Sequence, residues 1–370
     1  MAEYHLADVL HRFLPTYRQQ YSLTARQALV CQHILDCRTA KLGSQQWRCD
    51  DCGYEQVQYC SCRDRHCPRC QGVQRQQWLA KQQNQVLDCR YFHLVFTLPH
   101  ELNVLSRFAA KELYSALFQS MWQTLSQFAS NRRKASGQLG VTTVLHTWGQ
   151  SLSQHIHLHC LVPGGGLTTD GRWLATKGKY LYPVKALSTV FRAKMMQALR
   201  MRQLSVPASD ALMAKPWCVY CKPSLTRPDT VLNYLSRYTQ KGMLHESRLT
   251  SITDEGVGFR YKDYRQSNRT KTMRLTWVEF LRRYLLHVLP KGFMRVRHYG
   301  YLDNRCRREK LATIQPQCQS PQVAEPSNKL KVNTECRWLC PECEVGVLRL
   351  CGLNLPKPNH FSTVERISSG

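Results

Sequence analysis

The sequence predicts a mixed α+β fold behind a small cysteine-rich module, and three observations carry that expectation. Residues 155–160 read His-Ile-His-Leu-His-Cys. A strand's period of two puts the three imidazoles on one face and Ile156, Leu158 and Cys160 on the other. Runs of this kind alternate along the chain with segments whose apolar residues recur at helical spacing. Upstream, Cys49-x-x-Cys52 and Cys67-x-x-Cys70 stand close together, as thiolate pairs on metal-binding turns do.

Taken in order, residues 1–42 read as helical, with Ser22 or Thr24 as a cap and an apolar stripe through Leu29 and Ile34. The cysteine-dense stretch 49–70 follows. Residues 71–87 form a Gln-rich polar helix carrying Trp78 and Leu79 toward the main domain. Tyr91 to Leu98 is a strand ended by Pro99. Leu113, Leu117, Met121, Leu125 and Phe128 mark a helix within 101–130, and the polar segment 131–140 breaks it. Strands at 141–148 and 155–162 pair next, the second closed by Pro163-Gly164-Gly165-Gly166. Helices are expected at 185–205, at 229–241 after Pro228, and at 277–288 before Pro290; strands are expected at 257–264 and 271–275. Residues 312–334, rich in Gln, Pro, Ser and Asn, read as a linker. Three regions result: a helical, cysteine-bearing N-terminal domain at 1–90, a main domain at 91–311, and a linker with a Cys-containing tail at 312–370.

Lys and Arg number 52 against 25 acids, a net charge of +27. That excess suits a polyanionic partner, nucleic acid first and an anionic membrane second. No run of about 18 apolar residues and no signal-peptide core occurs, which places the protein in the cytoplasm and off the membrane. In a reducing compartment the 18 cysteines are thiols or metal ligands. Cys49, Cys52, Cys67 and Cys70 are therefore expected to close a tetrahedral zinc site. Cys60, Cys62 and His66 crowd the same stretch and leave a second ion or an exchanged ligand open. Cys336, Cys340, Cys343 and Cys351 hold one clear Cys-x-x-Cys and form a weaker set.

Three alternating histidines fit a divalent ion better than a buried, metal-free cluster, because packing partly cationic rings together costs electrostatic energy. They suit zinc hydrolases and magnesium or manganese nucleases alike. A nucleophile is available at Tyr234-Leu235-Ser236-Arg237-Tyr238, where helical spacing sets two phenols one turn apart; core packing gives the same spacing. Arg237, Lys241 and Arg248 would lower a phenol's pKa and hold phosphates. Phe259-Arg260-Tyr261-Lys262-Asp263-Tyr264-Arg265 alternates aromatic and basic residues as a stacking platform beside a phosphate track would, and as an ordinary half-exposed strand would. Residues 291–310, with Arg295 and Arg297, form a further basic stretch whose plainer reading is a solvated face.

With these residues assembled, the chain resembles the insertion-sequence-91 family of rolling-circle transposases, in the wider HUH (His-hydrophobic-His) endonuclease superfamily. The resemblance rests on Cys-Arg-Asp-Arg-His-Cys-Pro-Arg-Cys at 62–70, Val95-Phe96-Thr97-Leu98-Pro99, His146-Thr147-Trp148-Gly149, His157-Leu158-His159-Cys160, Tyr-x-x-x-Tyr at 234–238 and His287-Val288-Leu289-Pro290. It implies a central antiparallel sheet flanked by helices, the histidines on a middle strand and the tyrosine helix laid over them, preceded by the zinc module. It implies that His157 and His159 bind magnesium or manganese, with His155 or Gln150 open as third ligand. Tyr234 and Tyr238 would be the nucleophiles that nick and rejoin single-stranded DNA at element ends through a 5′-phosphotyrosine. The family commonly has proline where Ile156 stands, and Cys60 is an addition. Two other functions stay open on these residues, a rolling-circle replication initiator and a non-catalytic zinc-dependent DNA-binding regulator. No Gly-x-x-x-x-Gly-Lys-Ser/Thr loop supports an attached helicase.

Overall fold

The computed structural model describes residues 3–72, 85–130, 137–176, 178, 181–225, 231, 242–263, 266–318 and 338–355. In chain order the labelled elements are α1 (Leu6–Gln20), α2 (Ala25–Asp36), β1 (Ser44–Cys49), β2 (Glu55–Tyr59), β3 (Tyr91–Thr97), α3 (Ala110–Ser130), β4 (Gly140–Trp148), β5 (Gln154–Pro163), β6 (Gly165–Leu167), β7 (Trp173–Ala175), α4 (Val184–Met201) and α5 (Ser209–Ala214). Then come β8 (Val219–Leu225), β9 (Leu249–Thr253), β10 (Gly256–Asp263), β11 (Arg269–Leu275), α6 (Trp277–Leu286), β12 (Val296–Gly300), α7 (Arg307–Cys318) and β13 (Leu348–Asn354).

The histidine strand becomes β5, and it lies in the middle of a five-stranded sheet ordered β12-β4-β5-β3-β8. Every pairing in that sheet is antiparallel. The even-numbered side chains of β5, Ile156, Leu158, Cys160 and Val162, are fully buried with Phe92, Leu94 and Phe96 of β3. Leu113, Leu117, Met121 and Leu125 of α3 and Leu187, Phe191 and Met195 of α4 close over them. Each large apolar side chain buried there contributes about 1.5–3 kcal/mol. One face of the sheet is thus committed to packing, and the other is left for the odd-numbered residues.

A second sheet, β11-β10-β9, packs with α1, α2 and α6 into a separate core through Val257, Phe259, Phe280 and Tyr284. Thr24 caps α2: its hydroxyl accepts from the Gln27 amide at 3.2 Å while the Gln27 side chain takes the Thr24 amide at 2.9 Å, a capping box. The expected stripe through Leu29 is corrected. Leu29 is exposed, and Val30, Cys31 and Ile34 face the core. Glu246, buried beneath α1, takes His5 Nδ1 at 2.8 Å and the Leu6 amide at 3.1 Å, which fixes the N-terminal helix on the main domain.

The third sheet, β13-β1-β2, is the main departure from the expected organisation. The segment read as a tail returns to pair with β1, from Ser44 opposite Asn354 to Cys49 opposite Leu348. Nor does the linker begin at 312, because α7 continues to Cys318 with Leu311 and Ile314 buried. The Gln-rich helix from residue 73 on, the helix expected at 229–241 apart from Val231, and residues 319–337 of the linker lie outside the described residues.

Candidate active site

The odd-numbered face of β5 assembles a histidine cluster from three strands. His146 of β4 stands opposite His157, and Thr97 of β3 opposes His157 from the other side. His146, His157 and His159 bring one ring nitrogen each within 4.8 Å of one another, and Nε2 of His157 lies 3.0 Å from Nε2 of His159. Ligands about 2.1 Å from an octahedral ion stand about 3.0 Å apart, so the pair fits a cation's coordination edge. The far nitrogens are engaged. His157 Nδ1 donates to the His155 carbonyl at 2.8 Å, and His159 Nδ1 lies 2.9 Å from Nε2 of buried His93, the outer contacts that orient a ligating ring. Burial, helped by His155, holds His157 down at about 4. Burial, with His146, His157 and His93 around it, holds His159 well below the usual histidine value. Both are neutral at physiological pH, with lone pairs available to a metal.

The third imidazole of the cluster is therefore His146, not His155. The His155 side chain is exposed and contributes its backbone carbonyl. Gln150 lies in the turn between β4 and β5, beyond Trp148. His146 was missed because its place beside His157 is a matter of strand register. The signal present in the sequence was the short interval His146-Thr147-Trp148 before a turn.

Beside the cluster, Trp148 stacks on His146 with ring centroids 4.7 Å apart, and the Arg295 guanidinium sits 5.8 Å from the Trp148 ring. Arg65, His66, Gln71, Met243 and His287 line the same cleft. Burial and the neighbouring Arg65 lower Arg295 to about 10, so the Arg295 guanidinium stays charged at neutral pH. Arg260 is exposed on β10, where it donates to the Ser247 carbonyl at 2.6 Å. The stacking platform around it is corrected, since Phe259 is fully buried. Arg297 is corrected as well: it stacks on Phe118 and Phe293 at 4.2 and 5.1 Å, on the helix-covered face away from the histidines. Tyr234, Arg237, Tyr238, Lys241 and Arg265 lie outside the described residues.

The cysteines form two tetrads, not the single site expected from Cys49, Cys52, Cys67 and Cys70. Cys67 and Cys70 join Cys37 and Cys62, whereas Cys49 and Cys52 join Cys340 and Cys343. The two pairs part because β1 and β2 carry the first to the far end of a hairpin, while the second stays against α2. In the first tetrad, Cys70 Sγ lies 3.5 Å from Cys37 Sγ and 3.6 Å from Cys62 Sγ, close to the edge of about 3.8 Å of a tetrahedron with 2.3 Å zinc–sulfur bonds. His66 is not a ligand. Its Nδ1 donates to Asp64 at 2.8 Å and its Nε2 accepts the Leu289 amide at 3.2 Å. Burial would raise the Asp64 pKa, but hydrogen bonds from His66 and His33 outweigh it and hold the carboxyl below its ordinary range. Cys336 is outside the described residues, and Cys351 is exposed with its thiol donating to the Gln46 carbonyl at 3.2 Å.

Comparison with known proteins follows this division. Residues 9–98 match a family model described as a transposase zinc-binding domain, and residues 140–310 match one described as a putative transposase. The putative transposase y4qJ of Sinorhizobium fredii is 41% identical over 327 residues, 83% of this chain and 82% of that protein. The transposase for insertion sequence element IS801 of Pseudomonas savastanoi pv. phaseolicola is 30% identical over 309 residues, 76% of this chain and 71% of that protein. Among solved structures, the relaxase TrwC complexed with a 27-mer DNA is 15% identical over 60% of this chain and 72% of that chain, at a TM-score of 0.27, too low to carry an argument. Neither the replication-initiator reading nor the regulator reading is favoured by these matches. The zinc-binding module followed by the transposase domain, and relatives that share most of their length, place the chain in one group: it belongs to the insertion-sequence-91 family of rolling-circle transposases.

Proposed function

We propose that this transposase nicks and rejoins single-stranded DNA at the ends of its element in the cytoplasm, through a 5′-phosphotyrosine formed by Tyr234 or Tyr238. The observation that carries the reading is the convergence of His146, His157 and His159 on the sheet face opposite the one that α3 and α4 cover. The anchors of the tyrosine segment support it. Val231 is buried in one cluster with Leu161 and Tyr91 at one end of that face. At the other end the Gly242 amide donates to Gln71 at 2.9 Å, and Met243 lines the cleft of Trp148. The chain between these anchors contains both tyrosines.

In the reaction a tyrosine oxygen attacks phosphorus, the bond to the 3′ oxygen breaks, and the freed 3′ oxygen takes up a proton; the second tyrosine can repeat the attack to transfer the strand. A divalent ion held by the three imidazoles would polarise the phosphate and offset the charge that develops on it. An all-imidazole donor set suits a first-row transition-metal ion better than magnesium, which keeps oxygen ligands, and of the two expected ions manganese is the one in that row. His155 and His93 hold the ligating rings in orientation. Arg65 and Arg295 would hold flanking phosphates beside Trp148, with Arg237, Lys241, Arg260 and Arg265 as further contacts. No helix among the described residues is long and apolar enough to cross a membrane.

Full-length protein incubated with manganese and a single-stranded element end is expected to form a covalent, protease-sensitive DNA adduct that Tyr234→Phe combined with Tyr238→Phe abolishes. An undiminished adduct in that double variant, or none with the wild type, overturns the mechanism.

A further inference from the structure

The second cysteine tetrad is only half covered by the family matches. All four residues of the first, Cys37, Cys62, Cys67 and Cys70, fall within the matched zinc-binding region at 9–98. The second takes Cys49 and Cys52 from that region and Cys340 and Cys343 from a segment outside both matched regions. We propose that these four thiolates hold a second structural zinc ion, which clasps the C-terminal hairpin to the N-terminal module.

The geometry is that of a built site. Cys49 Sγ lies 3.8 Å from Cys343 Sγ and Cys52 Sγ lies 3.7 Å from Cys340 Sγ. These are edges of a zinc–thiolate tetrahedron, about 3.8 Å, and well beyond a disulfide's bond of about 2.05 Å. Each Cys-x-x-Cys pair sits on a tight turn whose amides point at sulfur. The Asp51 amide donates to Cys49 and the Glu342 amide to Cys340, both at 3.4 Å, and the Gly346 amide donates to Cys343 at 3.3 Å. Gly346 leaves no room for a Cβ beside the Cys49 sulfur, so the second turn closes directly on the first. Behind the ligands β13 pairs with β1, and Trp47 packs on Trp338 with ring centroids 4.8 Å apart. With four sulfurs and no position left for water, the site is closed, and its ion holds structure and does no chemistry.

The test is thiol alkylation of the full-length, zinc-loaded protein, mapped by mass spectrometry. Cys52 and Cys351 are both exposed, so burial shields neither from the reagent. We expect Cys49, Cys52, Cys340 and Cys343 to be protected together while Cys351 reacts, and a chelator to release the four as a set. Cys340→Ser with Cys343→Ser should lower thiolate-bound zinc by one ion per chain, and adding Cys49→Ser with Cys52→Ser should lower it no further. Alkylation of Cys340 and Cys343 as fast as Cys351 in zinc-loaded protein overturns the proposal, as does an unchanged zinc content in the first variant. Where a variant does not fold, the wild type decides through exposed Cys52 and half-buried Cys343, whose protection relative to Cys351 burial does not supply.

Discussion

Two groups of buried histidines in this molecule look alike in the sequence and differ in what their nitrogens meet. His66 and His287 are each bonded to fixed protein groups at both ring nitrogens. His66 meets Asp64 and the Leu289 amide, and His287 donates Nε2 to the Leu152 carbonyl at 3.0 Å and accepts the Thr147 hydroxyl at Nδ1, 3.1 Å away. In the β5 cluster, His157 gives one nitrogen to the His155 carbonyl and turns the other toward His159 and His146. Burial depresses the pKa in both groups, so neither burial nor pKa separates a ligand from a packing residue. Convergence of nitrogens on one point does.

The largest expected break in this comparison is His157→Ala combined with His159→Ala. DNA nicking should fall by at least on the order of a thousandfold, about 4 kcal/mol of transition-state stabilisation. The urea-unfolding midpoint in metal-free buffer should move little, because neither ring belongs to an apolar core and the bonds lost are those of His157 to the His155 carbonyl and of His159 to His93; a collapse of that midpoint would put the cluster among the packing histidines. The second test is the pH dependence of stability. His287 is 1% exposed and held at about 4 by burial, against the opposing pull of its Leu152 bond, while an unfolded histidine titrates near 6.5. Between those values the unfolded chain binds a proton that the folded one refuses. Stability is therefore lost as pH falls from about 6.5 to 4, by roughly 3 kcal/mol for this residue. His287→Gln should flatten that part of the profile, and an unaltered slope would show that other groups carry it. The smallest effect is expected for His155→Ala. Its exposed ring rests on His157 with centroids 4.7 Å apart but brings no nitrogen to the cluster, and its carbonyl survives the change, so nicking should stay within about twofold; a loss approaching that of the double variant would restore it as a ligand.

The central strand was legible because a period of two writes both faces of β5 into consecutive letters, and the Thr24 cap because its partner Gln27 lies three residues on. His146 was not, since residues 146 and 157 meet only through the register of a hairpin. The cysteines show the same limit at longer range. Cys49-x-x-Cys52 and Cys67-x-x-Cys70 form a complete set by spacing, but β1 and β2 separate them, and the missing ligands come from Cys37 and Cys62 for one and from Cys340 and Cys343 for the other. Leu29 was misassigned by the phase of a short helix, in which one residue's rotation of about 100° moves a side chain from core to solvent. Arg297 reads as surface because arginine usually is, yet its guanidinium covers the Phe118 ring at 4.2 Å.

The return of β13 to β1 also sets an order of events during synthesis. Strand β1 leaves the ribosome early, but the partner that places Arg349 against Asp50 is made about 300 residues later. At roughly 5–20 residues per second, that interval is on the order of tens of seconds. Through it the nascent chain carries the hairpin of β1 and β2 with one edge open, while the histidine-bearing sheet can already form. Completion of the N-terminal module thus reports that the ribosome has passed the five-stranded sheet, and a prematurely terminated chain would carry an unsealed strand edge for proteolysis to find.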